Sequence, residues 1–130
     1  MIRDVRSTLG LAISALAAGA IAAGAAAIKL PPPPSLPAGW SHASINVVVR
    51  HVPHTFTYDH GRVAAVSPSA LTLREPDGSV VTVGIDSSTI VRIAGRQASI
   101  DQVRRLDVAT TVTVDGGAAA LVKVEPRLGR

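Results

Sequence analysis

Along the chain the apolar positions change period once. Residues 9–28, "LGLAISALAAGAIAAGAAAI", carry no charged side chain and have no polar face, which predicts an apolar N-terminal helix. From Ala43 onward the pattern becomes that of strands: "SINVVVRHV", "TFTYDHGRVAAV", "ALTLREP", "SVVTVGI", "TIVRI", "VATTVTV" and "AALVKV" are rich in Val, Ile and Thr and are separated by turn residues. Turn signals recur about every 8–12 residues, the spacing of a sandwich or small barrel. In "LTLREPDGSVVTVGI", Leu71 and Leu73 alternate with Thr72 and Arg74, Pro76-Asp77-Gly78 supplies the turn, and Val81, Val83 and Ile85 resume the alternation. Asp115 to Gly117 supplies a second such turn. Between the hairpins, Ile100, Val103 and Leu106 recur at helical spacing and Ser99 stands at an N-cap position, so "QASIDQVRRLDV" reads as one short helix or helical turn. "SINVVVRHV" reads as an added edge strand stopped by Pro53.

The expected order is a hairpin with a third strand, a short helical connection and a closing hairpin. This is an all-β architecture, a five- to six-stranded OB-like barrel with one short helix, preceded by the apolar helix. Residues 61–124 run as Gly61-x-Val63-x-x-Val66, Leu71-Thr72-Leu73, Asp77-Gly78, Val81-Thr82-Val83 and Thr89-x-Val91, then a helical turn and a final pair of strands. In that order they resemble a small OB-like β-barrel domain of unknown function found in exported bacterial proteins. The chain departs from it at Asp107-Val108, where such domains place Gly-Asp before the strand. The resemblance implies a fold and an exported location, and no activity.

The rest of the chain divides accordingly: a head over 1–8, the apolar segment 9–28, a proline-rich spacer over 29–40 and the exported β-barrel domain over 41–130. A helix needs roughly 20 apolar residues to span a bilayer, whereas a signal h-region takes about 7–15. Length therefore favours an uncleaved anchor. Composition favours a cleaved signal, because ten of the twenty residues are alanine and "GAAAIK" offers the small residues Ala25 and Ala27 that a signal peptidase reads. A buried soluble helix is the third reading. Both membrane readings keep Arg3 and Arg6 in the cytoplasm and export the residues beyond Lys29. Ala15/Gly19 and Ala20/Gly24 are small pairs at helical spacing that would let two such helices approach. Pro31 to Pro37 would form a polyproline spacer of roughly 20 Å. Trp40 either joins the interfacial aromatic belt or packs on the domain.

Composition narrows the chemistry. There is no cysteine, which removes disulfides and thiolate sites. The net charge of +4 is spread singly, and residues 41–130 hold ten bases against eight acids, a solvated surface rather than a polyanion footprint. With only Trp40, Phe56 and Tyr58 as aromatics, the core is expected to be aliphatic. Residues 61–124 offer no aromatic for base stacking, which argues against nucleic acid. No serine sits in a nucleophile elbow, and no catalytic set or cofactor is expected. His42, His51, His54 and His60 fall close together with Asp59 beside the last; the metal ligands of this segment would be His51, His54 and His60. Against this, residues three apart on a strand face opposite ways and Pro53 forbids a helix, so solvated loop histidines are the competing reading. Two functions emerge: a membrane-tethered or secreted interaction or assembly module of the cell envelope, with a possible envelope protein partner, or a small extracytoplasmic metal- or ligand-binding protein using the His42 to His60 segment.

Overall fold

Alternation of Val and Thr along short segments builds one eight-stranded sheet in the computed structural model of the chain. The structure describes residues 36–127 and, before them, only the backbone of 11–12, 20–23 and 26–29, which pair antiparallel as short strands. The expected head over 1–8, the apolar helix over 9–28 as a continuous unit, and Pro31 to Pro34 lie outside the described residues. Among the described residues no helix is long and apolar enough to cross a membrane.

The strands of the large sheet are β1 (His42–Val49), β2 (Val52–Ser67), β3 (Ala70–Arg74), β4 (Val80–Gly84), β5 (Ile90–Ile93), β6 (Arg96–Ala98), β7 (Val108–Val114) and β8 (Ala119–Glu125). They lie in the order β4-β3-β2-β7-β8-β5-β6, with β1 also on β2. The β8–β5 pairing is parallel and the other pairings are antiparallel. The described residues are all-β, as the alternation requires, but the large sheet has eight strands rather than five or six and is open. Its two sides are joined by the chain itself: β4 passes into β5 through residues 85–89 rather than through a ladder.

The 16-residue β2 organises the molecule. Its first half pairs with β1, from Val52 opposite Val49 to Asp59 opposite His42. Its second half gives the same edge to β3, starting at Arg62 opposite Arg74. On its other edge β7 runs across the handover, from Phe56 opposite Val114 to Arg62 opposite Val108. Pro53 does not stop the first strand. A tight turn at Arg50 and His51, both with positive φ, ends β1 before it. Pro53 then sits inside β2 opposite Val48, ahead of the stretch that β7 joins, so its missing N–H removes no ladder bond on that side.

Side-chain alternation gives the β2–β7 pair two buried faces. On one face Val63, Leu71, Leu73, Val83, Val91, Ala109, Val122 and Val124 form the aliphatic core, with Val103 packed in from the connection. Strands from both ends of the order contribute to it, so the sheet is curled. On the other face Phe56, Tyr58, Val112, Val114 and Ala120 form a second cluster, covered by Trp40, Ile45, Val47 and Val49. The expectation of an aliphatic core holds only for the first of these. Phe56 and Tyr58 are fully buried, because the β1–β2 hairpin supplies a second layer that the 61–124 pattern does not contain.

The expected short helix is a single 3-10 turn, Ile100–Gln102, with Ser99 at its N-cap and the Gln102 side-chain oxygen accepting the Ser99 N–H. A hairpin turn at Ala94-Gly95, both at positive φ, places residues 96–98 in β6 instead.

Candidate functional site

The handover along β2 creates a gap in the sheet edge. β1 begins at His42, opposite Asp59, and β3 ends at Arg74, opposite Arg62, so the start of one strand faces the end of the other. Gly61 makes the closure possible. A Cβ there would lie 2.3 Å from the Arg74 carbonyl oxygen, and no side chain fits. Ser41 fastens the join: its carbonyl accepts the His60 N–H at 2.8 Å and its hydroxyl accepts the Asp77 N–H at 3.0 Å.

Two acids meet at this join. Asp59 shares the inward face of β2 with Val63, and Glu75 continues the Leu71, Leu73 alternation one step past β3. Both stand at the end of the aliphatic core and are buried, Asp59 at 6% and Glu75 at 4% exposure. His42 approaches from solvent, its Nδ1 2.9 Å from Glu75 Oε1. One ligand atom from each of His42, Asp59 and Glu75 lies within 4.8 Å of the others, a grouping of the kind that holds a metal ion.

The electrostatics follow from burial and proximity. Desolvation, a hydrogen bond to Glu75 and the Glu75 charge push the Asp59 carboxyl up to about 6. The hydrogen bond to Glu75 and its charge raise the His42 imidazole above its ordinary value. The pair is left with an unmet demand: Glu75 Oε2 is buried without a hydrogen-bond partner. The Thr111 hydroxyl, directly across the ladder from Asp59, is buried and unpartnered too. Beside the group opens a cleft of about 370 Å³ lined by His60, Gly61, Arg62, Arg74, Glu75, Pro76 and Val108.

The histidines named from the sequence stand apart from one another. His51 occupies the exposed β1–β2 turn at φ +67°. His54 Nδ1 lies 2.6 Å from Asp115 Oδ2 and clips the first hairpin to the β7–β8 turn, where Asp115 Oδ1 also accepts the Thr55 N–H. His60 faces away from Asp59, bonded to Thr110 Oγ1 at 2.9 Å and stacked on Trp40 with ring centroids 4.8 Å apart. Trp40 therefore packs on the domain. Burial lowers the His60 imidazole below its ordinary value.

Among the described residues, the group with metal-ligand geometry thus uses His42 and two acids in place of His51, His54 and His60. Asp59 stood beside His60 in the sequence. Glu75 carried a clearer signal, an acid at an apolar position of the β3 alternation. Comparison with known proteins brings no match: no family model, no curated relative and no solved structure is similar to the chain.

Proposed function

We propose that the chain is a membrane-tethered or secreted binding module of the bacterial cell envelope, in which residues 41–130 form an OB-like sheet that engages a partner outside the cytoplasm. The strand path carries this reading. β2, β3 and β4 form a meander, β5 lies parallel to β8, and β7 joins β8 back to β2. With β4 and β5 taken as one strand broken at 85–89, and β1 and β6 as added edges, five strands remain, and the 3-10 turn falls between the third and fourth. That is where the OB-like barrel has its helix. The path supports the likeness of residues 61–124 to the exported domains, and the uncharged stretch behind Arg3 and Arg6 supports export.

The partner is read as a protein or small ligand of the envelope rather than nucleic acid, because β3 and β4 carry no aromatic platform for bases. Location is the decisive test. Alkaline phosphatase fused after Arg130 is expected to be active in bacterial cells, with intact mass then separating a retained anchor from a cleaved signal. An inactive phosphatase fusion beside an active β-galactosidase fusion at the same position would overturn the envelope reading.

The alternative, an extracytoplasmic metal- or ligand-binding protein acting through the His42 to His60 segment, is favoured by one observation, the unmet Glu75 oxygen at the strand join.

A further inference from the structure

A buried carboxylate oxygen without a donor is destabilising, and two adjacent buried carboxylates repel. Only a proton or a cation relieves both conditions at the Asp59–Glu75 pair. A proton on Asp59, shared with Glu75, neutralises one carboxyl of the two; a divalent cation neutralises both and gives Glu75 Oε2 its missing partner. The residues around the pair suit the second solution. His42 adds an imidazole nitrogen from the solvent side, already 2.9 Å from Glu75 Oε1 and with 56% of its side chain exposed, which leaves room for water.

We propose that His42, Asp59 and Glu75 hold one divalent transition-metal ion of the zinc class. One nitrogen and two carboxylate oxygens match the donors that zinc takes at about 2.0–2.2 Å, with water in the fourth position. Tetrahedral ligands at that distance stand roughly 3.4 Å apart, a spacing bracketed by the 2.9 Å between His42 Nδ1 and Glu75 Oε1 and the 4.8 Å within which all three donors lie. Calcium and magnesium fit poorly, since they call for six or more oxygen donors or an octahedral shell. Asp77 Oδ2, 3.9 Å from His42 Nδ1, adds negative charge at the rim.

Bound there, the ion ties the first residue of β1 to the residue after β3, the two ends that the handover leaves without a ladder between them. Zinc binding at this join does not depend on where the chain resides, so its failure would leave the envelope reading to the fusion test.

The experiment is a zinc titration of the full-length chain, purified in detergent and stripped with EDTA, against a chromophoric chelator, with zinc-edge X-ray absorption on the loaded protein. One zinc per chain is expected, bound through nitrogen and oxygen with a single imidazole. His42→Ala and Glu75→Gln should each weaken binding tenfold or more, while the His51→Ala/His54→Ala double variant keeps wild-type affinity. His42 is exposed, so its replacement leaves the fold intact and keeps the test decisive if Glu75→Gln misfolds. Unchanged affinity in His42→Ala, loss of binding in the double variant, or a larger thermal stabilisation by magnesium or calcium than by zinc would overturn the site.

Discussion

Leu106 holds φ at +73°, a left-handed conformation that costs a residue with a Cβ about 1–2 kcal/mol. Its N–H donates to the Val63 carbonyl and its own carbonyl accepts from Arg62, so the join to β2 fixes the angle. Glycine would relieve the strain at the cost of greater freedom in the unfolded chain, a net gain of about 0.5–1 kcal/mol. Leu106→Gly should therefore raise the thermal midpoint by a few degrees, and Leu106→Ala should not; equal midpoints for the two variants would remove strain as the cause. At this same scale the candidate site was half legible. His42 and Asp59 stood out as residue types, and Glu75 broke an apolar alternation, but their convergence depends on β1 and β3 sharing one edge of β2. That pairing joins residues 33 apart, and no local pattern encodes it.

Among the elements, β2 and its neighbours depend on one glycine. Gly61→Ala sets a methyl against the Arg74 carbonyl, and relief requires β2 and β3 to separate where they meet. A loss of about 3 kcal/mol or more is expected, read as a lower urea midpoint with an unchanged m-value. Gly78→Ala meets nothing within 4 Å and serves as a comparison for which only the φ of +91° is unfavourable. A Gly61→Ala variant as stable as the wild type would mean that β2 and β3 do not approach so closely at their join. The strands themselves were readable, since Val/Thr alternation and the Pro76-Asp77-Gly78 and Asp115 to Gly117 turns mark most of them. The Ala94-Gly95 turn was missed because Ile100, Val103 and Leu106 suggested a helix reaching back over β6. Only Val103 of the three is fully buried, so the spacing did not describe one packed face.

For the whole molecule, the buried pair links stability to pH. The folded state keeps a proton on Asp59 up to about 6, whereas the unfolded chain releases it near 3.8. Stability from this group is therefore full below that lower value and falls as pH rises through about 6. His42, raised by Glu75, acts in the same direction, losing its contribution as pH climbs above 6.5. His60, lowered by burial, acts oppositely, its contribution being lost as pH drops below 6.5. With screening on the solvent side allowed for, the Asp59 share is about 2 kcal/mol, on the order of 10 °C for a domain of this size. EDTA-treated protein should lose that much between pH 4 and 6.5, and Asp59→Asn, which resembles the protonated acid, should not. Parallel melting curves for the two proteins across that range would rule the linkage out.

The strand join also fixes where force would act. Residues 29–40 lead directly into Ser41 and His42, so any pull transmitted through that segment reaches the sheet at the first residue of β1. Along the strand axis such a pull loads the whole β1–β2 ladder in shear at once, whereas a sideways pull opens it one rung at a time. The first rung pairs His42 with Asp59. An ion held there would be a rivet at the point of greatest strain, making the mechanical strength of the attachment depend on the metal and acid content of the surroundings.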